Sequence, residues 1–221
     1  MISTINDFNE RKNEVVLYIK ELKKLEKLWS VDINFIHIAK STIYLLLYNL
    51  IESSVVSWLE EINTHFQNQG VEYNQMKESL QKHILSNLKN CKINLEDSYK
   101  IIWSNINNNV FLLKWELNKD KSHKRYNPIS GSADAKKIRE IAEKYSFSSK
   151  TDWRKTKKWV DLLMIKERRN RLAHWETSFK TLWQGERIID LEKSSKRTLK
   201  YIEWILNNMD KYLKKSEYLR A

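Results

Sequence analysis

Glycine, proline and cysteine are all scarce in this chain of 221 residues, which holds three glycines, one proline and one cysteine. A β-rich protein of this size needs many glycine- and proline-containing turns, so these counts predict an all-α fold of long helices with few connections. The lone cysteine, Cys91, cannot form an internal disulfide, which is typical of a reducing compartment. The first residues, MISTINDFNERKNE, lack the apolar core of a secretory signal. We therefore expect a cytoplasmic protein.

Long uninterrupted apolar runs are also absent. The most apolar stretch, IYLLLYNLIESSVV, is interrupted by Asn49 and Glu52. We expect this stretch to be too short and too polar for a membrane span, and we expect no membrane partner.

The charge of the chain is distributed unevenly along its length. The net charge is +12, but residues 1–113 hold 12 basic and 13 acidic residues, whereas residues 114–221 hold 28 and 15. This asymmetry favours an anionic partner for the second half, with nucleic acid as the first candidate. The alternative is a solvated basic surface that serves only solubility.

Apolar residues recur every three to four positions over most of the chain, which predicts amphipathic helices. The expected helices cover 4–29, 32–65, 73–88, 133–145, 156–175 and 190–218, with a short one over 95–106. Asp32 and Asp190 are the expected caps of the second and last helices. The polar, turn-rich residues 104–132 predict a loop or insertion within a single domain that spans 1–221.

The predicted second helix is apolar almost all round, which is typical of a helix in the middle of a bundle. Asn49 and Glu52 interrupt it three positions apart and therefore share a face. A buried carboxylate without a partner is very unfavourable, so Glu52 needs a cation or a donor nearby. Glu52 is then either half of a structural ion pair or a supporting residue of a site.

The helix expected over 156–175 carries the segment KERRNRLAHWETSF. On a helical wheel, Arg169 falls in the middle of the apolar face, where an arginine is rare unless it is paired or functional. Glu167, Asn170 and His174 form a line at the edge of that face. Arg168 and Arg171 project elsewhere. Because Arg169 and His174 diverge by about 140° on an ideal helix, they do not meet on one face.

The residue types of this segment limit the chemistry. The sequence has no metal-ligand spacing, no glycine-rich phosphate loop and no nucleophilic serine elbow, so we expect neither a metal nor a cofactor. Histidine can transfer a proton near neutral pH, and arginine can bind a phosphate through two hydrogen bonds. RNA carries its own nucleophile, the 2′-hydroxyl, so such a set could cleave it. A purely structural Arg/His pair is the alternative that the residue types leave open.

The segment RRNRLAHWETSF resembles the R-x4-6-H motif of the HEPN superfamily of helical ribonucleases. It is particularly similar to the form RRN-x-LAHGE-x-SF of bacterial HEPN nucleases from toxin–antitoxin and mobile defence loci. Four further segments look like that branch in the same order: DFNERKNEVVLYIKELKKLE, LLLYNLIESS, DAKKIREIAEKYSFS and QGERIIDLEK. The resemblance covers most of the chain and is weakest from about residue 93 to 129.

The resemblance implies a HEPN-type helical bundle in which Arg169 and His174 are the catalytic pair and Asn170 assists them. Glu52 falls where the family has an acidic residue on a neighbouring helix, and we expect Glu52, Arg169 and His174 to share one polar pocket. Asn49 and Glu167 are expected as further supporting residues, and Arg168 and Arg171 as RNA-binding residues.

Two positions depart from related patterns. The glycine that usually follows the histidine is Trp175 here, whose ring either stacks a base of the RNA or narrows the cleft. Some HEPN toxins are silenced by nucleotidyltransferase antitoxins, and these toxins have a tyrosine two places after the histidine. This chain has Glu176 at that position, so we do not expect that mode of control.

The function that the resemblance implies is a metal-independent endoribonuclease that leaves a 2′,3′-cyclic phosphate. It would act as a homodimer with its site in the dimer cleft, as a growth-arresting toxin or antiphage effector, with RNA as substrate and a cognate antitoxin or regulator as partner. The alternatives are a non-catalytic RNA-binding HEPN module and an antitoxin or assembly subunit.

Overall fold

A computed structural model describes residues 2–90, 129, 131–156, 159–183 and 187–220. These residues form α-helices, one short 3-10 helix at Tyr73–Gln75 and a single isolated bridge between Met76 and Leu219, with no β-strand among them. The helices are α1 Ile2–Leu25, α2 Ile33–Asn68, α3 Glu78–Asn90, α4 Ala135–Tyr145, α5 Trp153–Thr156, α6 Val160–Ala173, α7 Phe179–Leu182 and α8 Ile188–Lys214. The all-α prediction is confirmed for this part of the chain.

The central helix α2 begins where the sequence predicted it. The side chain of Asp32 accepts a hydrogen bond from the backbone N–H of Asn34 at 2.6 Å and caps the helix. Its 36 residues pack against α1, α6, α7 and α8, and its buried residues extend from Ile36 to Phe66. A helix that is covered on several sides needs apolar residues all round, which is the pattern in the sequence.

By length and composition alone, α2 is apolar enough to cross a membrane, so the expectation that this run is too short and too polar is wrong. Just over half of its most apolar stretch, 56 %, is buried against the rest of the protein. Burial among other helices accounts for the apolar composition equally well. The absence of a membrane partner stays a prediction.

Two ion pairs fix α6, the helix that carries the arginine-rich segment. Asp161, in its first turn and 3 % exposed, accepts two hydrogen bonds from Arg197 of α8 at 2.6 and 2.8 Å. Lys166 pairs at 2.6 Å with Asp134, whose carboxylate also caps α4 by accepting from the N–H of Lys137. The helix is therefore tied to α8 at its start and to α4 at its middle.

Four helix ends close with a residue in the left-handed backbone region, at Gly70, Ser146, Trp175 and Ser216. At the end of α2, Gly70 N–H bonds the Gln67 carbonyl and Val71 N–H bonds the Phe66 carbonyl, each at 3.1 Å. This is the Schellman arrangement, which normally uses glycine because a Cβ is strained at positive φ. Only the end of α2 has glycine there.

Some expected boundaries differ from the structure. The helix predicted over 156–175 corresponds to α6, which begins at Val160 and ends at Ala173, and the short α5 ends at Thr156 before it. Asp190 does not cap the last helix: Arg187 occupies the N-cap position, and Asp190 lies in the first turn, where its carboxylate pairs with Arg187 at 2.9 Å. The expected short helix over 95–106 and most of the expected loop over 104–132 lie outside the described residues.

Candidate active site

Arg169 lies across the interface between α6 and α2. Its guanidinium carbon is 4.4 Å from the centroid of the Tyr48 ring, and its Nη1 donates to Oδ1 of the neighbouring Asn170 at 3.1 Å. The side chain is half-buried, between the buried residues Leu162, Ile165 and Leu172 of α6. No carboxylate in the described part of the chain lies within ion-pair distance of it. The positive charge of Arg169 is therefore held by an aromatic face and an amide, and no anion from the described ranges neutralises it.

Tyr48 is fully buried, and both its hydroxyl and its ring make contacts that hold it in place. Its hydroxyl oxygen accepts a hydrogen bond from the N–H of Ala133 at 3.3 Å. Burial raises the pKa of Tyr48, and the carboxylate of Glu52 beside its hydroxyl raises it further, whereas the Ala133 N–H and the Arg169 charge lower it. The phenol thus stays neutral at physiological pH, and its ring is fixed beneath Arg169.

Glu52 and Arg169 therefore meet the same tyrosine, one at its hydroxyl and the other at its face. Glu52 is expected from the sequence to share a pocket with Arg169, and both residues meet at Tyr48. No ion pair between the two is present among the described contacts. Asn49, the residue that follows Tyr48 on α2, is exposed.

Asn170 connects the arginine to residues near the end of the expected insertion. Its Oδ1 accepts from Arg169, and its Nδ2 donates to the carbonyl of Gly131 at 3.5 Å. The amide orientation is thereby fixed, because the nitrogen faces a carbonyl and the oxygen faces a guanidinium. Asn170 can hold Arg169 in place while the remaining N–H groups of the guanidinium stay available.

Arg168 makes a parallel contact one turn earlier on α2. Its guanidinium carbon lies 4.8 Å from the centroid of the Tyr44 ring, and its Nη1 donates to the Tyr44 hydroxyl at 2.7 Å. Burial raises the pKa of Tyr44 to about 12, although Arg168 lowers it. Arg168 is thus half-buried against α2, whereas Arg171 is exposed. Their role as RNA-binding residues stays a prediction, and the two have different surroundings.

His174 is the C-cap residue of α6 and is exposed. Its backbone N–H bonds the carbonyl of Asn170 at 2.9 Å, and its imidazole has no hydrogen-bond partner among the described residues. No hydrogen bond joins it to Arg169 or Glu52, so the structure unites two of the three residues expected in one pocket. Glu167, expected on the same line as His174, is also exposed.

In the ranges that the structure describes, no three His, Cys, Asp or Glu side chains form a group that could hold a metal ion. The polar side chains at the α2–α6 interface are instead two guanidinium groups, two phenols, one amide and one carboxylate, from Arg168, Arg169, Tyr44, Tyr48, Asn170 and Glu52. This set can bind and orient a phosphate but offers one acidic oxygen donor at most.

A family model described as HEPN_MAE_28990-like HEPN matches residues 3–218. The chain belongs to the HEPN superfamily. The search of curated proteins and the search of solved structures each returned no match. The match spans the whole helical bundle, so the HEPN domain includes α2, α6 and the contacts between them.

Trp175 stands where the similar HEPN motif has glycine, and the backbone shows why glycine fits there. Its φ is +57°, its N–H bonds the Leu172 carbonyl at 3.3 Å, and the next N–H, of Glu176, bonds the Arg171 carbonyl at 3.0 Å. This is the same Schellman closure that uses Gly70 in α2. In this HEPN chain the left-handed turn after His174 is formed by a tryptophan whose side chain is 85 % exposed.

Sequence reasoning did not identify Tyr44 and Tyr48 as contributors to this site. They lie four residues apart on α2, at the spacing that puts two rings on one helix face, and Glu52 follows Tyr48 at the same spacing. The spacing of Tyr44, Tyr48 and Glu52 is the feature of the sequence that could have identified them. Tyrosines in an apolar helix are usually interpreted only as core residues.

Replacing Trp175 by glycine should stabilise this HEPN domain. Glycine adopts positive φ without steric cost, and the exposed indole contributes little packing, so we expect the free energy of unfolding to rise by about 1 kcal/mol. Urea denaturation measures the change. Ser216→Gly, at the equivalent position of α8, is the matched control and should act in the same direction. A destabilised Trp175→Gly variant would mean that the indole packs against something.

Proposed function

We propose that this HEPN protein is a metal-independent endoribonuclease. The observation that carries the proposal is the setting of Arg169, a half-buried cation oriented by Tyr48 and Asn170 without a carboxylate partner among the described residues. A guanidinium held in this way can bind a phosphate oxygen through its free N–H groups. The excess of basic residues after position 113 supports an anionic polymer as the ligand.

The proposed reaction uses the nucleophile that RNA itself carries. The 2′-oxygen attacks the adjacent phosphorus while the bond from phosphorus to the 5′-oxygen breaks, which leaves a 2′,3′-cyclic phosphate and a 5′-hydroxyl. His174 accepts the proton of the 2′-hydroxyl or donates one to the leaving 5′-oxygen, and water makes the other of these two proton transfers. Arg169 stabilises the charge on the non-bridging oxygens, and Asn170 orients Arg169. Arg171, exposed on α6, binds the backbone of the RNA.

We further propose that the active centre forms between two copies of the chain. Arg169 is directed at α2, whereas His174 is exposed at the end of α6 with no hydrogen bond to Arg169. A two-fold homodimer can bring the histidine of one copy to the arginine of the other without any additional sequence. The cleft between the two copies would then hold the phosphate.

The biological role that we propose is growth arrest in the cytoplasm, as a toxin or an antiphage effector controlled by an antitoxin or other regulator. Its support is the similarity of RRNRLAHWETSF to the motif of bacterial HEPN nucleases of such loci. Expression in bacteria discriminates: an active toxin should prevent growth unless His174 is replaced. A non-catalytic RNA-binding module or an antitoxin should be tolerated in both forms.

Cleavage of total cellular RNA should persist in EDTA and leave cyclic phosphate ends. His174→Ala should lower the cleavage rate at least 100-fold, since one proton-transfer group contributes about 10²–10⁴, and it should leave the fold intact because His174 is exposed. End-mapping and mass spectrometry of the products check both points. Strict dependence on Mg²⁺, or 5′-phosphate ends, would disprove the mechanism. RNA that is bound but never cut would favour the RNA-binding module.

Mixing inactive subunits should restore part of the activity. His174→Ala protein and Arg169→Ala protein are each expected to be inactive alone, and exchange between them creates dimers with one centre that retains both residues. Cleavage is measured before and after subunit exchange. Continued inactivity of proven mixed dimers would argue that both groups come from one chain or that both copies of each are required.

Tyr48→Leu should lower kcat more than Tyr44→Leu, although both remove a fully buried tyrosine from beneath an arginine. Only Tyr48 holds the arginine proposed to act on the phosphate, and a displacement of about 1 Å can cost on the order of 100-fold in rate. Tyr48→Phe keeps the ring and should retain most of the activity. The rates are compared per folded molecule, well below each melting temperature. Equal loss in both leucine variants would assign these tyrosines to stability alone.

A further inference from the structure

Trp175 combines two unfavourable features that nothing within the described residues offsets. A non-glycine residue in the left-handed region is strained, and its indole is 85 % exposed, with no ring contact or cation–π contact among the described side chains. Ser146 and Ser216 occupy the same kind of position but expose no large apolar group. Strain and exposure that the fold does not need are typical of residues that bind something.

The indole is also held close to the proposed catalytic histidine. Trp175 follows His174 directly, so their Cα atoms are about 3.8 Å apart. Hydrogen bonds from the N–H groups of His174, Trp175 and Glu176 to carbonyls of α6 fix the backbone on both sides. The tryptophan side chain therefore projects from a rigid turn, and its position relative to the imidazole is restricted to a few rotamers.

The surroundings of Trp175 suit a nucleotide. Arg171, on the preceding turn, and Lys180, in the first turn of α7, are both exposed cations. An exposed indole with cations close to it along the chain is a combination that proteins use to stack a base and hold its flanking phosphates. Bases within a duplex are stacked on both sides already, so an indole can stack only on an unpaired or terminal base.

We propose that Trp175 is a stacking subsite for an unpaired nucleobase next to the scissile phosphate. The inference rests on the proposed ribonuclease function and deepens it, because it names a residue that binds a base of the RNA. A glycine would give this turn its most stable backbone. The tryptophan lowers the stability of the folded protein, and its indole binds the substrate.

Binding is measured with a short RNA strand that carries 2′-fluoro groups and therefore cannot be cleaved. Trp175→Gly should weaken its binding about 5- to 150-fold, the loss expected when one base stack of about 1–3 kcal/mol is removed. Trp175→Phe should retain most of the affinity. Ser216→Gly, the matched change at another left-handed position, should bind as the unaltered protein does. A gain in melting temperature together with a loss of affinity in Trp175→Gly alone is the expected signature.

Abasic nucleotides placed one at a time along the strand then locate the base. At one position, the abasic substitution should weaken binding to the unaltered protein by the same factor as Trp175→Gly, and should weaken binding to that variant no further. A duplex of the same sequence should show no difference between the two proteins.

Three results would overturn the inference. Equal affinity of Trp175→Gly and the unaltered protein for the single strand would show that the indole does not stack. Dissociation of a dimer in Trp175→Gly, with unchanged affinity per site, would assign the indole to an interface between copies. If the unaltered protein neither binds the single strand at low salt nor cleaves RNA, the proposed function fails together with the subsite. Cleavage and binding that survive Trp175→Gly leave the nuclease proposal intact and reject only the subsite.

Discussion

The stacking of two consecutive arginines of α6 on two tyrosines of α2 is the contact on which the rest of the site depends. Arg168 lies over Tyr44 and Arg169 over Tyr48, at 4.8 and 4.4 Å. Two consecutive residues of α6 thus contact two residues of α2 that are one full turn apart. These contacts fix the position of α6 along the axis of α2. A guanidinium on a neutral ring keeps its full positive charge, whereas one paired with a carboxylate does not act as an uncompensated cation. The contrast with Arg197, which is paired with Asp161, shows that the chain uses both solutions.

The residues from 131 to 134 support that contact from the side. Gly131 accepts from Asn170, Ala133 donates to the Tyr48 hydroxyl, and Asp134 pairs with Lys166. These three contacts reach α6 twice and α2 once, and they orient both the amide and the aromatic ring that hold Arg169. The short segment before α4 is therefore part of the framework of the site, although it carries none of the residues proposed to take part in the reaction.

Much of this arrangement was predictable from the sequence. The scarcity of glycine and proline, with apolar residues every three to four positions, gave the correct fold class, and the helical wheel placed Arg169 among Leu162, Ile165 and Leu172. The wheel could not identify its partner. A buried charge suggested a carboxylate, Glu52, whereas the ring of Tyr48, one turn before Glu52, covers the guanidinium. Which of two residues on one helix face lies opposite an arginine depends on how far the two packed helices are shifted along their axes. A single sequence does not specify that shift.

The glycine count was informative about connections but misleading about helix ends. Few glycines did mean long helices, yet the ends of α4, α6 and α8 adopt the backbone that glycine favours and use serine or tryptophan for it. The end of α6 is held by Arg169, which lies on Tyr48 of α2, and by the buried side chain of Leu172, so the local cost of a left-handed tryptophan is tolerated. The backbone conformation at the end of each helix is the one that local hydrogen bonding favours. The packing of the helices determines how much backbone strain a non-glycine residue can have there.

The proposed reaction moves two protons. Cleavage by the 2′-hydroxyl removes one proton from the nucleophile and adds one to the leaving 5′-oxygen, on opposite sides of the phosphorus. Arg169 cannot exchange protons near neutral pH, and the motif contains one histidine. In the proposed composite centre, His174 of one copy therefore makes one of the two transfers and water makes the other. Arg169, proposed to bind the phosphate, is held by Tyr48 of α2, whereas the proposed proton-transfer group stands at an exposed helix end, where the imidazole can change its orientation easily.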